Sequence, residues 1–165
     1  MGIGMTRLLH VKIPVTDLQN SVDWYCRLMD LSLTHEFIEQ DELRGAAVRS
    51  TEGGFSFALR LRQHCSSAPD LEGFDIVAVH MNSREALSVV QQRSAALGAE
   101  YTDVQDRGPH EAVVDVTDPD GTVLRFYWVD LAAVSDTFVG YAFTGDGPPE
   151  FIGEPRLEAP SVLGR

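Results

Sequence analysis

Hydrophobic positions along the chain keep two rhythms, one of period two and one of helical period, and the same succession of rhythms occurs twice. Arg7–Val15 alternates, with Val11, Ile13 and Val15 on one face and His10, Lys12 and Pro14 on the other. This predicts a strand in which Pro14 belongs at an end or an edge. Behind Asp17, an N-cap residue, Leu18, Val22, Tyr25 and Met29 recur at helical spacing and predict a helix over 18–29. Leu31–Ile38, Leu43–Ser50 and Phe55–Leu61 return to strand patterning, and in the last Phe57 and Leu59 oppose Ala58 and Arg60. Gln63–Gly73, rich in Ser, Pro, Asp and Gly, predicts a linker. A strand over Phe74–Met81 follows, then a helix over Arg84–Leu97 that turns Leu87, Val90, Ser94 and Leu97 inward. Asn82 and Glu85 stand at capping-box spacing before it, and Gly98 stops it. Strands over Glu100–Gln105, Ala112–Thr117 and Thr122–Val129 complete the second round.

One offset of 65 positions relates the two rounds: His10 to Asp75, Asp17 to Asn82, Val48 to Val113, Leu59 to Leu124 and Arg60 to Arg125. This predicts an internal duplication and an α+β fold of two tandem βαβββ modules, at 7–62 and 74–130. One amphipathic helix per module is too little to complete a core, so the modules must share one, within the chain or between chains. Residues 131–165 follow no third repeat and form a C-terminal extension, with one further strand predicted over 137–144.

Chemistry enters with the stretch before and along the last strand. Asp118-Pro119-Asp120-Gly121 is a strong turn signal. In the strand that follows, Leu124, Phe126 and Trp128 share one face, and Val123, Arg125 and Tyr127 the other. An arginine inside an otherwise apolar strand must face a partner or a ligand. The 25 acidic residues against 13 basic ones give a net charge of −12, which disfavours a nucleic-acid surface. Cys26 and Cys65 have no metal or redox spacing, and no apolar run approaches membrane-spanning length. A cytoplasmic protein with no membrane partner is expected. Motifs of P-loop, dinucleotide-binding, serine-hydrolase and zincin type are absent from the sequence.

The paired modules, the His10-x-x-x-Pro14-Val15-x-Asp17 opening and the Asp118-Pro119-Asp120-Gly121 turn resemble the vicinal oxygen chelate superfamily. That family includes glyoxalase I, extradiol dioxygenases, fosfomycin-resistance enzymes and bleomycin-binding proteins. The resemblance covers Arg7 to Asp130. It implies sheets curled around a cleft, metal ligands of His or Glu type on the first and fourth strands of each module, and assembly as a homodimer. Carried onto this chain, those positions fall on His10, Arg60, Asp75 and Arg125. A guanidinium has no lone pair for a metal. His10 and Asp75 alone fall short of the three protein ligands usual at a catalytic zinc. The expectation is therefore a member without the metal, with no cofactor.

The cleft then offers His10, Lys12, Arg60, Asp75, Arg125 and Tyr127. Two readings of the arginines stand side by side. Asp75 and His10 can satisfy them in a structural network, or the guanidinium groups can converge on an anionic ligand. Three functions follow from these options. One is a small-molecule-binding protein of the bleomycin-resistance type. Another is a metal-independent lyase or isomerase, with His10 as acid and base and Arg60 or Arg125 stabilising an oxyanion. The third is a divalent-metal glyoxalase or dioxygenase with other ligands. His35 on an exposed strand, His64 in the linker, His80 on the helix-facing side of its strand and His110 in a loop are expected to be structural or solvated. Trp24, Phe37, Phe55 and Phe57 are expected in the core.

Overall fold

A computed structural model of the chain describes residues 7–52, 54–133, 140–142 and 150–152. The first round comprises β1 (Val11–Val15), α1 (Leu18–Met29), β2 (Leu31–Glu39), β3 (Glu42–Ser50) and β4 (Ser56–Leu61). The second comprises β5 (Asp75–His80), α2 (Ala86–Leu97), β6 (Gln105–Asp106), β7 (Glu111–Thr117) and β8 (Val123–Val129). Each round builds a four-stranded sheet, ordered β1-β4-β3-β2 and β5-β8-β7-β6. The first strand of each runs parallel to the last, and the other pairs are antiparallel. The predicted tandem βαβββ architecture is thus present. Two short strands, β9 (Gly140–Ala142) and β10 (Glu150–Ile152), pair antiparallel beyond it. β9 lies inside the strand predicted over 137–144, whose other residues lie outside the described ones.

Local signals set most of the element ends. Asp17 is extended, and its carboxylate accepts the Asn20 N–H at 3.0 Å, which starts α1. Asp30 ends that helix in a left-handed conformation at φ 52°, returning its N–H to the Cys26 carbonyl. The capping box predicted for α2 is not formed. Ser83 Oγ accepts the Ala86 N–H at 3.3 Å, while the Glu85 side chain gives no capping bond. The predicted strand over Glu100–Gln105 is reduced to Gln105–Asp106. Before it the chain runs beside β7, joined by an isolated bridge at Tyr101 and by the Thr102 N–H bonded to the Asp115 carbonyl. The Thr102 carbonyl and hydroxyl turn instead to Gln91 and to the Asp115 N–H, which interrupts the ladder.

The single offset of 65 also needs correction. It holds for β4 and β8, where Leu59 and Leu124 are buried together and Arg60 and Arg125 point the other way. The helices start 68 positions apart, at Leu18 and Ala86, because five residues instead of two link strand to helix in the second round. A β-bulge at Ile76 further shifts the side-chain parity of β5, so that Val77 and Val79 pack on the core and His80 pairs with Tyr127. His80 therefore lies on the side opposite to the one its sequence parity predicts.

α1 packs on the first sheet, α2 on the second, and the helices touch each other. Ile13, Tyr25, Phe57 and Leu59 of the first round join Leu87, Val114, Leu124 and Phe126 of the second in one buried cluster. The shared core lies within the chain. Polar ties cross the same seam. Tyr25 is fully buried and donates its hydroxyl to Asp118 Oδ2 at 2.8 Å. The other Asp118 oxygen accepts the N–H groups of Asp120 and Thr122 at 2.9 and 2.8 Å, which folds the Asp118–Gly121 turn. Asp120 accepts the Thr16 N–H at the entry to α1, and Arg93 of α2 reaches the Leu28 carbonyl and Asp30 at its exit.

Burial holds the Asp118 carboxyl above its ordinary value of 3.8, against the bonds from Tyr25 and two backbone N–H groups, which pull it down. Burial, with the Asp118 charge second, pushes the Tyr25 hydroxyl up, so it stays protonated and donates. Two outcomes are expected. Tyr25→Phe leaves one Asp118 oxygen buried without a partner and is expected to cost about 1–3 kcal/mol in chemical denaturation. A raised folded pKa stabilises fully below the unfolded value, and that contribution is lost as pH rises through the folded value. Asp118→Asn cannot ionise, so its stability relative to the wild type is expected to increase as pH rises above the ordinary carboxylate range, a difference read from paired melts.

Candidate functional site

Each sheet has a helix-packed face and an open face, and the polar residues singled out in the sequence emerge on the open faces. On the first sheet, Lys12 and Pro14 of β1 lie beside Ala58 and Arg60 of β4, in register as Lys12–Ala58 and Pro14–Arg60. β3 adds Gly45, Ala47 and Arg49, and β2 adds His35, Phe37 and Glu39. A bulge at Thr34, whose hydroxyl bonds the Ala47 carbonyl at 3.1 Å, brings His35 opposite Ala47. Gly45 is required here, since a Cβ would meet the Leu59 carbonyl oxygen at 2.8 Å and the Phe37 ring at 3.2 Å. Phe57 and Trp24 are in the core as expected, and Phe55 packs against it. Phe37 is not, being 37% exposed on the open face.

Arg60 forms a bidentate pair with Glu39, at 2.5 and 2.7 Å. The bond to Glu39 raises the guanidinium pKa, and the same bond holds Glu39 below the usual carboxylate range. Lys12, Glu39 and Arg60 line a hollow of about 550 Å³, walled by Ser66, Pro69 and Leu71 of the linker and by Ile76 of β5.

On the second sheet Arg125 stands directly opposite Asp115 on β7 and bonds it through Nε and Nη2 at 2.8 and 2.9 Å. Its Nη1 reaches Asp75 Oδ2 at 2.7 Å. The bulge at Ile76 is what turns Asp75 to this face. The bond to Asp115 is the main cause of the raised Arg125 pKa, with the charges of Asp115 and Asp75 behind it. Tyr127 donates its hydroxyl to Glu111 at 2.9 Å.

His10 is half-buried where the chain runs past the start of β4. It lines two adjoining hollows. One, of about 540 Å³, lies between β1 and β4 on one side and β5 on the other. The second, of about 310 Å³, lies over the far end of the first sheet's open face.

The six residues read from the sequence thus occupy three places. Lys12 and Arg60 share one hollow, His10 borders two others, and Asp75 and Arg125 are bonded on the second sheet, with Tyr127 on the same face bonded to Glu111. Sequence reasoning missed Glu39, Asp115 and Glu111, the partners of Arg60, Arg125 and Tyr127. Asp115 was visible in principle: an acid alternating between Val114 and Val116 is the same anomaly as Arg125, on the neighbouring strand. Guanidinium groups donate hydrogen bonds and offer a metal no lone pair. Among the described residues, no group of three or more His, Cys, Asp or Glu side chains is placed to hold a metal ion. No helix among them is long and apolar enough to cross a membrane.

The sequence profile of the Glyoxalase/Bleomycin resistance protein/Dioxygenase superfamily matches residues 7–126, and the chain belongs to that family. No curated protein matches it significantly. Solved structures share the fold. A glyoxylase/bleomycin resistance protein/dioxygenase domain from Frankia sp. EAN1pec is 22% identical, with a TM-score of 0.60 over 76% of this chain and 99% of that one. TnmS3, an antibiotic binding protein from Streptomyces sp. CB03234, is 14% identical, with a TM-score of 0.64 over 78% and 100%. The fosfomycin resistance protein FosX from Listeria monocytogenes is 15% identical, with a TM-score of 0.62 over 78% and 97%.

Arg125→Lys tests the bonds to Asp115 and Asp75. A lysine keeps the charge but cannot hold Asp115 through two parallel bonds while reaching Asp75. It is expected to lose about 1–2 kcal/mol of stability in urea titration. Arg27→Lys, on an exposed helical pair with Asp23, is expected to change nothing measurable.

Proposed function

We propose that this chain binds a small organic molecule in the hollows along its first sheet and the seam, without a divalent metal at the positions where its relatives hold one. One observation carries the reading: Arg60 and Arg125, which fall at those positions, are each bonded to carboxylates of this chain. A cation placed at either position would meet a guanidinium charge and no donor atom from it. The name of the structural neighbour TnmS3, an antibiotic binding protein, agrees with a binding role on this fold. Protein purified without chelator is expected to carry much less than one divalent ion per chain by elemental analysis. Native mass spectrometry of the same sample is expected to find an organic guest, or to capture one from a metabolite mixture. A stoichiometric divalent ion would overturn the proposal and restore the glyoxalase or dioxygenase reading.

A second reading, a metal-independent lyase or isomerase, is favoured by the place of His10 on a wall common to two hollows. Its proposed oxyanion stabilisers are opposed by Glu39, Asp115 and Asp75, which ranks it second. His10→Ala separates the two readings: an enzyme would lose turnover and keep binding, whereas a binding protein loses only part of its affinity. A homodimer belongs to the same proposal. The edge strand β2 is exposed from Ser32 to Glu39 and shows Leu33 and Ile38 to solvent, a surface suited to a second copy. Light scattering is expected to give twice the mass of one chain, and the mass of one chain would remove this part.

A further inference from the structure

We infer that the preferred guest is an organic anion, with one negatively charged oxygen head and an apolar body. The inference rests on the binding reading above and specifies its ligand class. The two hollows that His10 borders also share Leu9, Gly54 and Ser56, so they form one trough with two ends.

The ends differ in chemistry. The larger lies between the modules, where Val11, Phe57, Val77 and Val79 supply its apolar walls. Arg7, His10, His35 and Arg49 surround the smaller, which has no carboxylate in its lining. Neither arginine of this bay has an ion pair among the described residues, and His35 bonds only the neighbouring Thr34 hydroxyl there. This chain carries 25 acidic and 13 basic residues, so a bay bordered by two arginines and two histidines and by no acid departs from its overall balance. The contrast with the Lys12–Arg60 hollow is direct, because Glu39 sits inside that one.

The backbone supports the arrangement. Arg49 stands opposite Ser56, and the bulge at Thr34 sets His35 opposite Ala47, so small side chains lie between the basic ones. A carboxylate, sulfonate or phosphonate fits this bay, where charge-assisted bonds from arginine are the strong kind. An attached aryl or alkyl body then reaches the apolar end and leaves water.

Phenylbutyrate and its uncharged analogue phenylbutanol, titrated calorimetrically into the full chain, test the assignment. The wild type is expected to bind the carboxylate about tenfold more tightly than the alcohol. Added salt should weaken the carboxylate alone. The double variant Arg7→Gln, Arg49→Gln is expected to lose that preference and keep its affinity for the alcohol. Arg27→Gln, which removes the same kind of charge from an exposed helix, should behave as wild type. Val77→Trp, which enlarges one of the apolar walls on β5, should abolish both, with thermal melts confirming that each variant folds. Equal binding of the two probes, or a preference that survives the double variant, overturns the anion assignment and leaves the binding reading intact. Failure of both probes also overturns the assignment, while the binding reading is decided separately by what co-purifies. Binding that survives Val77→Trp places the site elsewhere and overturns it too.

Discussion

The bond between the Tyr25 hydroxyl and the Asp118 carboxylate is the constraint on which the arrangement depends. A buried carboxylate is tolerated only when its oxygens have partners. Asp118 has three, two from its own turn and one from a helix of the other module. The turn that starts β8 is thereby held against α1, with Asp120 fastened to the start of the same helix. The docking brings β1 and β5, an edge strand of each sheet, to the same hollows. A site along a seam needs the seam to be rigid, and here buried apolar packing and directional bonds coincide along α1.

Two bulges then decide what the open faces present. Each inserts one residue, at Thr34 and at Ile76, and each turns a polar side chain over to the open face, His35 in one case and Asp75 in the other. The consequences are opposite. Asp75 is delivered to Arg125, which Asp115 already holds, and that row becomes internally satisfied. His35 is delivered to a bay that already has Arg49 and no acid, and that bay keeps its positive character. The same local device thus closes one part of the surface electrostatically and leaves another open.

Much of this was legible in the sequence. Period-two and helical patterning located nine of the elements in the two rounds and met β6 only at Gln105, because burial on one face imposes those periods. The Asp118–Gly121 turn was legible from Pro and Gly, although its grip on Tyr25 was not, since nothing local announces a bond across 93 positions. Arg125 was recognisable as an anomaly, and its partner lay on the neighbouring strand, whose register a sequence does not print. The bulges were beyond reach for the same reason. Each adds a single residue, and one residue is enough to reverse strand parity, which is why His80 and Phe37 were placed on the wrong side. His35 joined Arg7 and Arg49 only through that altered register.

The account turns on whether the strand arginines are occupied by the protein itself. A double-mutant cycle on Arg125→Met and Asp115→Leu, followed by urea unfolding, measures this directly. If the guanidinium is bonded as described, the two changes are expected to be strongly non-additive, with a coupling of about 1–2 kcal/mol. Additive effects, with coupling near zero, would mean that Asp115 does not hold Arg125 and would contradict the account.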